Sequence, residues 1–274
     1  MSWWSGRRRR SIEAAAALHE SGVEAGRNGD LRNAVPLLTK ALEMYEALEP
    51  DYQASQGAAR TLWRLATVQV EIDGAAVASE TAAKAAKRWE ALLAGPGAAD
   101  ITVLRELTRC HTDLCILNLQ SGAGEQAIAD GKRAVDLAER LVRDGHPEGR
   151  TELGTARHNL AVALFETGET AGAAKVAAAA VMVRQQLAEA APHPSLADWE
   201  HANSLVLSGR IYRALGQAPF AATAFTRALE LASSLGRAGG AMAVHILQQL
   251  RDLTEEHPGI LDHLALRSDT DGAP

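Results

Sequence analysis

The chain has 274 residues, of which 47% are hydrophobic but only 4% aromatic, and the apolar share is dominated by alanine and leucine, the strongest helix formers. Its 34 acidic residues outnumber 28 basic ones; without the four arginines at 7–10 the body carries a net of −10, which argues against nucleic acid as the main partner because phosphate binding needs a basic surface. No run of 18 apolar residues is present to span a bilayer, and two cysteines in a chain this long suggest a reducing compartment, so stable membrane insertion is excluded and a cytoplasmic location is expected.

Met1 to Arg10 joins Trp3 and Trp4 to Arg7, Arg8, Arg9 and Arg10. It reads as a disordered basic tail, with a linear motif for a partner, or weak docking on an anionic membrane surface through its indoles and guanidinium groups, as the alternatives. A twin-arginine export signal does not fit, because Ser11 to Glu20 contains Glu13, His19 and Glu20 instead of an uninterrupted apolar stretch.

From residue 11 onward the chain repeats itself. A first helix with the inward stripe Leu18/Ser21/Gly22/Ala25 hands over at Gly29-Asp30 to a second carrying Ala34, Leu38 and Ala41, with Asn33 as its expected cap and Pro36 as its third residue, where a missing N–H costs nothing. The second copy has Trp63/Ala66/Thr67/Val70, then Gly74 with Ser79, Ala83 and Ala86, and ends at Gly95-Pro96-Gly97. The third has His111/Leu114/Cys115/Asn118, then Gly122 with Ala127, Gly131 and Ala134, and breaks at Gly145-His146-Pro147. The fourth has Arg157/Leu160/Ala161/Leu164, then Gly168-Glu169 with Ala173, Ala177 and Ala180, and breaks at Pro192-His193-Pro194. The fifth opens on a capping box of Ser195 and Asp198, continues with Leu205/Ser208/Gly209/Tyr212, and passes through Gly216 to Ala221, Phe225 and Ala228, with Pro219 in the first turn. Ala241 to Glu256, with Val244, Leu247, Leu250 and Arg251 at helical spacing, reads as one more amphipathic helix that covers the end of the stack before His257-Pro258 stops it; 258–274 reads as a polar tail.

The residues at the sixth position of each copy recur at steps of 45, 48, 46 and 48, a period that signals a solenoid. Offsets of 3, 4 and 7 form the stripe of an amphipathic helix, and small side chains on it let paired helices approach closely. The expected fold is all-α: an α-solenoid, a right-handed superhelix of about five helical hairpins plus a C-terminal capping helix, forming one domain over 11–257.

Chemistry is sparse. Cys110 and Cys115 lie five apart on one helix, too far for a disulfide without unwinding it. His111 and Cys115 are one turn apart, but no second ligand pair stands nearby in sequence; His257, Asp262 and His263 straddle Pro258-Gly259 and read as a solvated turn. Gly124 to Lys132 has the wrong spacing for a phosphate loop and falls where the repeat requires a helix. With no catalytic constellation, no enzyme, cofactor or metal site is expected.

The fifth copy, Leu205-x-x-Ser208-Gly209-x-x-Tyr212 followed by Gly216, Ala221, Phe225 and Ala228, resembles the tetratricopeptide repeat. The first keeps Leu18, Gly22, Gly29-Asp30, Ala34 and Ala41, and the fourth, His158-Asn159-Leu160-Ala161 with Leu164, looks like the version found in kinesin light chains and many bacterial arrays. The resemblance covers roughly residues 11 to 236 and implies a concave groove lined by the second, fifth, ninth and twelfth positions of each first helix. Transferred here, those positions give His19 and Val23; Arg64, Val68 and Glu71; Arg109, Thr112, Ile116 and Leu119; His158, with Asn159 beside it, Val162 and Phe165; and Asn203, Val206, Arg210 and Arg213. Among them Arg64, Arg109, Thr112, His158, Asn159, Phe165, Asn203, Arg210 and Arg213 are the expected partner contacts. The carboxylate clamp for chaperone C-termini needs Lys and Asn where this chain has His19 and Val23, so that use is disfavoured. The resemblance thus implies a non-enzymatic adaptor that binds a protein or peptide in its groove, with a regulatory receptor acting through a separate effector as the alternative.

Overall fold

The computed structural model describes residues 2–192 and 195–260. Among them are eleven α-helices: α1 (Ser2–Arg27), α2 (Leu31–Glu46), α3 (Tyr52–Ile72), α4 (Ala75–Ala94), α5 (Ile101–Gln120), α6 (Gly124–Arg143), α7 (Gly149–Glu166), α8 (Thr170–Ala190), α9 (Leu196–Ala214), α10 (Ala218–Ser234) and α11 (Gly240–Glu256). No strand occurs among the described residues. The helices fall into two compact units that meet in sequence after Gly149. The division follows directly on the Gly145-His146-Pro147 break.

Each hairpin is closed by the glycine that the repeat marks. Gly29, Gly74, Gly122, Gly168 and Gly216 all have φ between 69° and 91°, a region that side-chain-bearing residues rarely enter. At four of them the residue after the glycine donates its backbone N–H to a carbonyl five residues earlier, as Glu169 does to Leu164 and Gln217 to Tyr212, so orphan carbonyls at the helix end are satisfied.

Small residues on the first helix then receive a large side chain of the second. A Cβ on Gly22 would stand 2.7 Å from Leu38 Cγ, and one on Gly209 would stand 2.5 Å from the Phe225 ring. Leu38 and Phe225 are fully buried. In the N-terminal unit the core gathers Leu62, Trp89, Leu104, Leu107, Leu137 and Leu141; in the C-terminal unit it gathers Leu205, Phe225, Ile246, Leu250, Leu253 and Ile260.

Four local expectations are corrected. The helix α1 begins at Ser2, so residues 7–10 are helical instead of an irregular tail; Arg9 pairs with Glu13 at 2.9 Å, and Arg8 donates to the Leu48 carbonyl at 3.0 Å. The cap of α2 is Asp30, which accepts from Asn33 N, and Pro36 lies inside the helix. In the second hairpin Gly74 is itself the N-cap, one residue earlier than in the other copies, so the buried stripe is Ala78, Ala82, Ala85 and Ala86 where the sequence pattern had placed Ser79, Ala83 and Ala86. Finally, α11, which follows a short 3-10 turn (Gly236–Gly239), buries Ile246, Leu250 and Leu253 while Val244 and Leu247 stay 70% and 49% exposed.

The capping box of Ser195 and Asp198 and the placement of Pro219 in the first turn of α10 are both present. Cys110 and Cys115 are free, buried thiols. His257 is exposed, while Asp262, His263, the His193-Pro194 break and the polar tail beyond 260 lie outside the described residues.

Candidate functional site

Two adjoining hollows open on the first helices of the N-terminal unit. The larger, about 580 Å³, is lined by Val23, Gly26 and Arg27 of α1, Leu38 of α2, and Arg64, Thr67, Val68 and Glu71 of α3. The smaller, about 330 Å³, lies between α3 and α5 and is lined by Trp63, Thr67, Val70, Glu71, Asp113, Ile116 and Gln120. Thr67 and Glu71 belong to both, so the two form one groove that crosses α3. Close approach shapes its floor: a Cβ on Gly26 would stand 3.3 Å from Val68 Cγ2.

Five of the positions transferred from the repeat line this groove: Val23, Arg64, Val68, Glu71 and Ile116. Residues that sequence reasoning did not assign to the groove join them, among them Trp63, Thr67, Asp113 and Gln120. Trp63 and Thr67 were placed on the inward stripe of α3, and that stripe faces the second hollow; Asp113 and Gln120 are contributed by α5. The signal was the polar Thr67 within an otherwise apolar stripe.

The electrostatics are specific. The Arg64 guanidinium lies over the Trp63 ring at 4.6 Å from its centroid, a cation–π arrangement that fixes its plane and leaves its edge donors available. Trp63 Nε1 donates to Asp113 Oδ2 at 2.6 Å, so Asp113 is committed to joining α3 and α5. Among the described residues neither Arg64 nor Glu71 has an ion-pair partner, although Glu71 is exposed and Arg64 half-buried.

The other predicted contacts do not line these two hollows. Thr112 is only 5% exposed and donates its hydroxyl to the Thr108 carbonyl at 2.9 Å, so it is a core residue of a helix packed on both sides by α4 and α6. Arg109 donates to Glu148 at 3.3 Å, as does Arg105 at 3.2 Å. His158 contacts Ser204 Oγ through Nδ1 at 3.1 Å; its edge is partly exposed, yet burial and then the neighbouring Arg184 push its pKa down to about 3, which makes it a neutral strut between α7 and α9. Asn159 and Asn203 are half-buried. Arg210 covers the Phe165 ring at 5.3 Å and pairs with Glu166 at 3.1 Å. Arg213 bonds Glu256 through Nε at 3.0 Å and through Nη2, with Asp252 at 3.7 Å. It fastens α11 instead of facing a partner.

A second polar cluster runs through the N-terminal unit. His111 Nδ1 meets Asp130 Oδ1 at 2.7 Å, Asn118 donates to Asp130 Oδ2 at 2.8 Å, and Ser79 donates to Asn118. Burial, with Asp130 beside it, pushes the Cys115 thiol up to about 12, which makes it a poor thiolate ligand. No group of three or more His, Cys, Asp or Glu among the described residues could hold a metal ion.

The family model for the tetratricopeptide repeat matches residues 153–195. That segment is a tetratricopeptide repeat. Solved structures extend that likeness along the chain as a likeness of fold. The repeat protein is 17% identical to BtubC (BKLC) of P. vanneervenii, with 85% of this chain and 91% of that one covered at a TM-score of 0.63. It is 16% identical to a Podospora anserina protein of nearly identical TPR-like repeats, named for kinesin light chain, over 82% of this chain and 98% of that one at a TM-score of 0.61. It is 13% identical to Bacillus thuringiensis PlcR, solved in complex with the peptide PapR7 and DNA, over 85% of this chain and 74% of that one at a TM-score of 0.53. No curated protein matches the repeat protein in sequence. No helix among its described residues is long and apolar enough to cross a membrane.

Proposed function

We propose that this tetratricopeptide repeat protein is a non-enzymatic adaptor that holds a segment of a partner protein in the groove formed by α1, α3 and α5. The observation that carries the reading is the continuity of the two hollows through Thr67 and Glu71, with apolar Val23, Val68 and Ile116 beside an arginine and a glutamate that have no ion-pair partner among the described residues. Such a surface supplies apolar anchorage together with charge-assisted hydrogen bonds, the two things a bound peptide needs.

Two features of the C-terminal unit direct attention away from it. Arg210 and Arg213 both have intramolecular carboxylate partners, and binding through them would have to break those pairs first. The alternative reading, a receptor whose ligand alters its hold on a separate effector, is favoured by the likeness to PlcR, which was solved with a peptide.

The test is Thr67→Trp, which places a large ring where the two hollows join while leaving the buried face of α3 untouched. The variant is expected to lose partner capture from the native cell with its helical circular dichroism unchanged. Capture that survives this block refutes the groove as the binding site. Capture that appears only when a small peptide fraction is added favours the receptor over the adaptor.

A further inference from the structure

We propose that the segment held in this groove is an extended peptide in the polyproline II conformation in which an acidic and a basic residue stand three positions apart. The inference rests on the groove reading above and adds the chemistry of the occupant.

The charge pattern comes first. Four ionisable side chains line the two hollows: Arg27, Arg64, Glu71 and Asp113. Arg27 has Glu24 beside it at 3.9 Å, and Asp113 accepts from Trp63 at 2.6 Å. That leaves Arg64 and Glu71 as the cation and anion with no ion-pair partner among the described residues. The protein therefore offers one site for a carboxylate and one for an ammonium or guanidinium group, and a ligand bearing two like charges would satisfy only one of them.

Spacing comes next. Arg64 and Glu71 are seven residues apart on α3, so they project from the same face about 10 Å from each other at 1.5 Å per residue. In a polyproline II segment side chains return to the same side every three residues, after about 9 Å. A β-strand does not fit as well, because its side chains at i and i+3 point to opposite faces. Between the two charges the groove floor is Val68 with Val23 beside it, which the aliphatic stems of a lysine and a glutamate would cover. Polyproline II backbone makes no internal hydrogen bonds and is already populated in unfolded chains, so little ordering is needed on binding.

Fluorescence anisotropy on the full chain with four capped, labelled peptides tests this: Glu-Pro-Pro-Lys, Lys-Pro-Pro-Glu, Glu-Pro-Pro-Glu and Lys-Pro-Pro-Lys, the prolines holding the spacing. At least one mixed-charge peptide is expected to bind about tenfold tighter than both like-charged ones, the effect of one charge-assisted contact. In Arg64→Glu the tightest ligand is expected to become Lys-Pro-Pro-Lys, and in Glu71→Arg it is expected to become Glu-Pro-Pro-Glu. A preference that inverts in this way does not arise from a loss of folding. If Lys-Pro-Pro-Lys binds the native protein best, the attraction is only that of a net-acidic molecule and the proposal fails. It fails as well if none of the four binds, or if the order of preference is the same in all three proteins. Should Thr67→Trp still abolish partner capture in those cases, the groove stands and only the assigned chemistry of its occupant is lost.

Discussion

Arg213 donates to Glu256 through Nε and Nη2 and lies 3.7 Å from Asp252, so a single guanidinium holds two turns of α11. Its hydrogen bond to Glu256 raises its own pKa and holds the Glu256 carboxyl below the usual range. Arg213→Glu is therefore expected to leave partner binding intact while speeding amide hydrogen exchange across 240–256, and adding Glu256→Arg should restore protection. Fast exchange that the second substitution leaves unchanged would show that the fork does not position α11. The same residue shows the reach of sequence reasoning at this scale. Transferring groove positions from the repeat placed Arg64, Val68 and Glu71 on the groove because those depend only on the register of α3. It could not foresee the intramolecular contacts of Arg213, Arg109 and His158, because their partners Glu256, Glu148 and Ser204 lie 39 to 46 residues away in sequence, and no local pattern announces them.

Between paired helices, two glycines serve different purposes, and substitution separates them. Gly168 has φ +91° and open space around the position of a Cβ, so Gly168→Ala meets only the backbone penalty of the left-handed region, roughly 1–2 kcal/mol. Gly168→Asn should recover part of that loss, since asparagine tolerates this conformation. Gly209 has helical backbone, but its Cβ would fall 2.5 Å from the Phe225 ring, which is fully buried and has nowhere to move. Gly209→Ala is accordingly expected to lower the melting temperature at least as much, and Phe225→Leu in the same chain should recover part of it, whereas it should not rescue Gly168→Ala. Equal rescue of both would mean that contact and backbone strain have been confused. Ala221, with no exposed surface, makes a third case: Ala221→Trp is expected to cost more than about 1–3 kcal/mol because a ring must enter a filled core. The hairpins were legible in the sequence because only glycine adopts the turn conformation readily, which fixed five handover points. The shift of register in the second hairpin was not, because Gly74 there caps the helix itself and the one-residue shortening leaves no mark in the pattern of small residues.

For the whole molecule, the dependence of stability on pH follows from three histidines that folding keeps neutral. Burial lowers the pKa of His19 in the N-terminal unit and of His158 and His201 in the C-terminal one, with nearby arginines adding to the effect. A histidine whose folded pKa lies below its unfolded value of about 6.5 is protonated more readily when unfolded. Its contribution is therefore fully present above that pH and is lost on acidification towards the folded pKa. For His158, with a folded value of about 3, the loss between pH 7 and pH 5 comes to about 2 kcal/mol at most, less whatever its exposed edge recovers from water. Arg184, itself buried and donating to Ser204 Oγ at 2.8 Å, places a positive charge beside that imidazole, which opposes a second one there. Urea unfolding followed between pH 7 and pH 5 should show a falling midpoint, with hydrogen exchange rising first across α7, α8 and α9. His158→Asn should flatten the pH dependence while lowering stability at pH 7 by less than the native protein loses on acidification. A midpoint that stays level or rises as the pH drops to 5 would mean that the buried histidines do not govern the acid response, and would leave carboxylates such as Asp100, held low by Tyr52 and the cap of α5, to account for it at lower pH.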